Sequence, residues 1–213
     1  MQDSQELVRE ATTGRFDSTQ AVARIQGELV RKSIHLLVAF VPTLASVNLS
    51  GTLVLLAVGT LFYAFSEASR LSGVTIPLVT DITLLASRER DRRGFVLGPV
   101  TLAIGTMLAL LLYPLPAATL AIYALAFGDG FASLVGTLLR GPKLPLLRSK
   151  TVSGSLACFV AVFLIALRVT GRMTSALVVA ATATILEAIP FGNFDNVVIP
   201  VGVGLVAVRL ALF

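Results

Sequence analysis

Acidic and basic side chains stand at the edges or inside of strongly apolar runs at only a few points in this chain. Arg31, Lys32 and His35 open one run, Glu67 and Arg70 close the next, and Asp129 interrupts a third. Lys150 precedes another, Glu187 ends one, and Asp195 opens the last. A charge in such a setting is expensive, so each is a functional candidate. Triphosphate chemistry needs a hard cation held by one or two carboxylates plus phosphate oxygens, and cationic side chains to spread the remaining charge. It also needs small residues that let backbone approach the phosphates. Asp129, Glu187 and Asp195 are the candidates to hold magnesium or to take a proton from an attacking hydroxyl. Lys150, Arg31, Lys32 and Arg70 are the candidates to neutralise phosphate. Gly154 and Ser155 lie where a helix should start, and the free backbone amides of a helix start attract anions.

The elements that must position these residues are set by composition. The chain has 213 residues, 55% hydrophobic and 14% charged, with a mean hydropathy of +0.88. That is too apolar for a water-compatible surface on a single domain and places the chain in a membrane. Apolar runs at 33 to 49, 51 to 69, 95 to 113, 116 to 138, 153 to 168, 174 to 190 and 195 to 213 predict an all-α, polytopic integral membrane protein of about seven transmembrane helices. Residues 1–30 are polar and mixed in charge, a cytoplasmic and candidate amphipathic segment without the apolar core of a cleaved signal peptide. Residues 31–213 form the membrane-embedded catalytic domain, with 71 to 94 as an interfacial stretch. Cys158 is the single cysteine, so no intrachain disulfide or cysteine zinc site can form.

Lysine and arginine set the expected orientation. Arg9, Arg15, Arg24, Arg31 and Lys32 precede or open the first span; Arg70, Arg88, Arg90, Arg92 and Arg93 surround the second loop; Arg140, Lys143, Arg148 and Lys150 occupy the fourth. Only Arg168 and Arg172 fall in an opposite loop, with Arg209 near the chain end. This asymmetry predicts a cytoplasmic amino terminus and a carboxyl terminus outside or in a lumen. Every candidate site residue then falls on the cytoplasmic face, as an enzyme joining a water-soluble anion to a membrane lipid requires. The net charge of +5 is accordingly read as orientation and contact with anionic membrane lipids, not as nucleic-acid binding.

Each feature has a plainer reading as well. Gly128, Ala132 and Gly136 recur every four residues, the small-residue stripe that lets two helices pack closely; Asp129 within it is what suggests chemistry. His35, the only histidine, is as readily a satisfied structural residue as a catalytic one. Glu67 and Arg70 sit at i and i+3 and would make an ordinary helix-end ion pair. Arg31 and Lys32 could simply orient the chain, and Ser33, Thr151 and Ser153 could cap helices. GTLLRGPK, 136 to 143, imitates a phosphate loop but has Pro142 where the lysine belongs. GDGFAS lacks the third glycine and the strand of a dinucleotide fold.

RKSIH (31 to 35), FGDGFASLVG (127 to 136), RSKTVSGS (148 to 155), LEAIP (186 to 190) and FDNVVIP (194 to 200) together resemble the membrane-embedded lipid kinases, which include dolichol kinase, phytol kinase and CTP-dependent diacylglycerol kinases. The resemblance covers roughly 31 to 204, in motif order. It implies transfer of a phosphoryl group from a nucleoside triphosphate, commonly CTP, to the hydroxyl of a polyprenol-, phytol- or dolichol-type lipid alcohol, with Mg2+ or another divalent cation. It further implies nucleotide and metal binding around Gly128, Asp129, Ala132, Ser133 and Gly136. Phosphate contact is implied for Lys150, Thr151, Gly154 and Ser155, with Glu187, Asp195 and Asn196 completing the site. Ser153 departs from the family pattern, in which many members carry an acid at that place. The alternative is phosphatidate cytidylyltransferase, which moves CMP to phosphatidate, but its closing stretch of paired lysine and aspartate, then histidine and glycines, does not occur here. A transporter would put such groups nearer the midplane, and a membrane scaffold would not need the ordered motifs.

Overall fold

The computed structural model describes residues 25–87, 91–139, 142–144 and 147–210. The expectations for Arg9, Arg15, Arg24, Arg88, Arg90 and Arg140, and for the last three residues of the seventh span, lie outside them. α1 is Ile25–Val47, with a 3-10 turn at Val38–Phe40. α2 is Leu49–Leu71, α3 Val79–Ala86 and α4 Gly98–Leu112. α5 is Leu115–Leu139, with a π turn at Ala124–Asp129. A two-stranded antiparallel ribbon comes next, β1 (Lys143–Leu144) and β2 (Leu147–Thr151). Then come α6 (Val152–Thr170), α7 (Met173–Ala188), a 3-10 turn at Gly192–Phe194 and α8 (Asp195–Arg209).

Local chemistry sets most of the boundaries. Asn48 caps α2, its Oδ1 accepting from the Gly51 amide at 2.8 Å. Pro99, Pro114 and Pro116 open α4 and α5, where a missing amide costs nothing. Thr151 caps α6 through the Gly154 amide at 3.2 Å, and Gly171 ends that helix in the left-handed region (φ 64°). α1 runs through residue 30, where the sequence suggested a change from tail to membrane domain. The ribbon was not expected.

The helices form one all-α body around α5. α6 and α7 make the most extensive pair, α6 also lies along the second half of α5, and α8 spans α4, α7 and the first half of α5. Leu120, Ile122, Leu125, Val162, Val179, Ile199 and Val203 fill the centre. Ala117, Ala118, Ala121, Ala176, Ala180 and Ala183 are fully buried, which brings helix axes close together. α2 is the opposite case: Leu55, Leu61 and Phe65 stand in a face that is apolar and exposed, as expected of a helix bathed in hydrocarbon.

Among the described residues, four helices are long and apolar enough to cross a membrane: α1, α2, α5 and α6. This is a helical membrane protein, but length and composition support four crossings and not about seven. α4 and α8 have 15 residues and α7 has 16. At about 1.5 Å per residue each spans roughly 22–24 Å, short of a hydrocarbon core of about 30 Å. The apolar runs in the sequence outlast these helices. Phe95, Val96 and Leu97 precede α4, and Ile189 and Pro190 lie beyond the end of α7.

α4 and α8 approach through a specific defect. Pro200 lies inside α8 and cannot donate to the carbonyl of Asn196 one turn earlier. That carbonyl faces Gly105 of α4, where an added Cβ would come within 1.9 Å of it. Gly105→Ala should therefore lower Tm in detergent by about 5 °C, from an overpacking penalty of about 1–3 kcal/mol. Gly59→Ala, whose Cβ would meet nothing within 4 Å, should leave Tm unchanged.

Candidate active site

A cavity of about 790 Å³ collects most of the charged residues that the sequence singled out. α1 contributes Arg31, Lys32 and His35; α5 contributes Asp129, Ala132, Ser133 and Gly136. Lys150, Thr151 and Gly154 come from the β2–α6 junction, Glu187 from α7, and Asp195 and Asn196 from α8. Gly128, Ser155, Glu67 and Arg70 do not line it.

Two ion pairs dominate the interior, one buried and one half-buried. Lys32 Nζ donates to Asp129 Oδ2 at 2.5 Å and to the Asp129 carbonyl at 3.2 Å. His35 Nδ1 lies 3.4 Å from the same carboxylate oxygen without a hydrogen bond of acceptable geometry. Asp129 ends the π turn of α5. A π turn breaks the regular ladder, and such turns recur at functional sites.

The second pair is Lys150 with Glu187, at 2.7 Å, and Asp195 Oδ2 lies 3.9 Å from the same ammonium. Ser155 Oγ donates to the other Glu187 oxygen at 3.4 Å. Burial alone would lower the Lys150 pKa, but Glu187, through charge and hydrogen bond, and the charges of Asp129 and Asp195 outweigh it and raise it. Lys150 is therefore favoured as a cation, with the Glu187 and Asp195 carboxylates as its near partners. Asp195 also accepts from the Phe191 amide at 3.0 Å, which fixes the turn before α8.

The glycine stripe of α5 does what small residues do. A Cβ on Gly128 would meet Val162 and Cys158 of α6, one on Gly136 would meet Thr151 Oγ1, and one on Gly154 would meet the Ala132 carbonyl at 2.6 Å. The stripe brings α5 against α6 and so carries Lys150 toward Asp129. Asn196 donates to Thr101 Oγ1 at 3.0 Å and to the Gly98 carbonyl at 3.3 Å, joining α8 to the start of α4.

Glu67 and Arg70 form a two-point ion pair, both contacts at 2.8 Å, beside the cavity and not in it. Glu67 also accepts from the Val96 amide, and Arg70 donates to the carbonyls of Arg92 and Gly94. They fasten the 92–96 segment to the end of α2, and Val96 lines the cavity wall.

Two acids of the cavity lining, Glu28 and Asp91, were missed. Glu28 lines the cavity, pairs with Arg31 and accepts from Ser133 of α5. Its signal was present: Glu28, Arg31 or Lys32, and His35 recur at helical spacing and share one face. The polar start of the chain concealed that the helix begins so early.

Among the described residues no three or more histidine, cysteine or acidic groups cluster as a ready metal site, since lysines stand between the acids. The donor set nonetheless fits a hard cation that takes one or two carboxylates and completes its shell with phosphate and water oxygens.

Comparison with known proteins gives a consistent kinship. The chain is 27% identical over 219 residues to a probable chloroplastic phytol kinase of Triticum aestivum, covering 92% of this chain and 71% of that protein. A probable chloroplastic phytol kinase of Zea mays is 27% identical over 166 residues, with 68% and 55% covered. Probable phytol kinase 1, chloroplastic, of Oryza sativa subsp. japonica is 26% identical over 228 residues, with 92% and 68% covered. No family model matches the chain, and no solved structure does.

Removing one member of a buried pair strands the other, at a cost of about 3–5 kcal/mol, whereas replacing both by apolar residues is far milder. Lys32→Met and Asp129→Leu should each lower Tm in detergent markedly, and the double variant should recover most of the loss. Additive losses would show that the pair contributes no coupling.

Proposed function

From its kinship with the phytol kinases, and so with the membrane lipid kinase family, we propose that this chain transfers the γ-phosphoryl group of CTP to the hydroxyl of a polyprenol-, phytol- or dolichol-type lipid alcohol at the cytoplasmic membrane face. The observation that carries the reading is the convergence of two lysine–carboxylate pairs, the buried Lys32–Asp129 and the half-buried Lys150–Glu187, on one cavity that also has apolar walls. A structural ion pair needs no cavity, and an apolar ligand needs no lysines. A substrate with both an anionic and an apolar part uses the two together.

In the proposed reaction the lipid hydroxyl oxygen attacks the γ-phosphorus in line. The bond from that phosphorus to the bridging β–γ oxygen breaks, CDP leaves, and the hydroxyl proton passes to a carboxylate, assigned here to Asp129. Lys150, with Lys32 and Arg31, spreads the charge on the phosphoryl oxygens. The backbone at Gly154 and the hydroxyls of Ser133, Thr151 and Ser155 are assigned to nucleotide contact, with Gly128, Ala132 and Gly136 permitting close approach. Asn196 holds the α8 wall in place. One or two of Asp129, Glu187 and Asp195 would hold a divalent cation, which supplies charge neutralisation across the phosphates. The amino terminus is proposed to face the cytoplasm and the carboxyl terminus the other side. The three shorter helices α4, α7 and α8 are proposed as further crossings, completing seven.

The test is a label experiment with purified protein in detergent micelles, magnesium and a panel of lipid alcohols plus phosphatidate. Label from the γ-phosphate of CTP should enter an alcohol. Entry of α-label into phosphatidate with release of pyrophosphate would make the protein a cytidylyltransferase instead. Asp129→Asn should reduce turnover by about 10²–10⁴-fold while the protein remains extractable and folded; near-normal turnover would remove Asp129 from the chemistry. Lys150→Ala should raise the KM for CTP by about 10-fold or more, and an unchanged KM would count against its phosphate role.

A further inference from the structure

The exposed residues that line the cavity fall into two unlike groups. The rest of the lining is buried or half-buried. Thr137, Pro190 and Gly192 sit at the end of α5 and in the α7–α8 turn, near Lys150 and Asp195. Ile82 of α3 and Leu97, just before α4, are 41% and 40% exposed, and both line the cavity. The lining nearest this second set is largely apolar, with Tyr63 of α2, Val79 of α3 and Leu102 of α4, and also includes Thr83, Ser87 and Asp91.

α3 is built to stay beside that second set while facing lipid. It is a helix of eight residues, far too short to cross a bilayer, and Leu78, Ile82 and Leu85 are exposed along it. Its far end rests on α1 at Gly27, where a Cβ would come within 2.7 Å of the Leu85 carbonyl. Its near end is set by Leu78 in the left-handed region (φ 66°), a conformation that leucine adopts only under constraint. Tyr63 donates to the Val96 carbonyl at 3.0 Å, holding α2 to the segment that carries Leu97. The Ile82–Leu97 surface is thus framed by three fixed elements and bordered by apolar side chains.

Resting on the lipid-kinase reading, we propose that the cavity opens between Ile82 and Leu97 and admits the lipid alcohol from the bilayer there. The first isoprenoid units lie along Tyr63, Val79 and Leu102, with the hydroxyl directed toward Asp129, while the nucleotide enters beside Thr137 and Gly192. Apolar chains have no hydrogen bonds to satisfy and are recognised by groove shape, so the residues at the bilayer opening set chain-length preference. The remainder of a long tail stays in the membrane, where it is already solvated.

The test compares geranylgeraniol with prenol, its single-isoprene counterpart, in Ile82→Trp and Leu97→Trp. Filling the opening should lower the ratio of kcat/KM for geranylgeraniol over prenol by about 10-fold, the effect of losing one or two apolar contacts. An unchanged ratio would overturn the proposal. Photolabelling of the unaltered protein with a diazirine-bearing geranylgeraniol gives a readout independent of turnover and of variant folding. Crosslinks should fall at Tyr63 or within 79–86 or 96–102, and crosslinks confined to other residues would overturn the assignment. If the label falls at this opening but no alcohol is phosphorylated, the opening stands and the kinase reading fails. If alcohols are phosphorylated while ratio and label both disagree, the kinase reading stands and the opening is elsewhere.

Discussion

A charge removed from water must find an opposite charge, and that requirement organises this molecule. Lys32 and Asp129 are both buried and 97 residues apart in the chain; Lys150 and Glu187 are separated by 37. Neither pair can be satisfied locally. α1 must lie against α5, and the β2–α6 junction against the end of α7, or four charges are stranded at a cost of several kcal/mol each. The apolar surface of the helices supplies no such selectivity, because lipid is as good a neighbour for leucine as another helix is. The ion pairs therefore specify which helix meets which, and the small residues of α5, α7 and α4 let them meet closely enough.

The same requirement bears on how the proposed reaction would use the interior. Each lysine is already held in place by acids, so under that proposal the site would not have to recruit cations for phosphate, and the carboxylates that hold them are also groups suited to a hard cation. Structural pairing and the proposed chemistry would draw on one set of side chains, which is why a plain ion pair and a catalytic constellation are hard to separate by residue type alone.

Much of the fold was legible because its signals are local or compositional. Thr151 at a helix start and the charged residues within apolar runs were readable from the sequence, and the structure brings most of those charges to one cavity. What was illegible depends on geometry between segments. The π turn at Ala124–Asp129 leaves no residue signature. Seven apolar runs correspond to four helices long enough to cross among the described residues, because apolar residues such as Phe95 and Val96 continue beyond the helices they adjoin. Glu67 and Arg70 were ambiguous at three-residue spacing, and only the position of Val96 shows that they brace the wall. Glu28 had the spacing but stood in a stretch whose polarity suggested a tail.

The π turn in α5 separates two halves with different partners. Leu115–Tyr123 packs chiefly on α8, with α4 and α1 beside it, and Gly130–Leu139 packs on α6. Each residue added to or lost from a helix rotates its two flanking halves by about 100° relative to one another. The wider π turn takes up one residue more than a regular helical turn, so it carries Asp129 without turning either half away from its partner, whereas a residue added or removed elsewhere in α5 would turn one half away. Within the six-residue stretch identity is constrained as well: Gly128 lies against Val162 and Cys158 of α6, and Asp129 is held by Lys32.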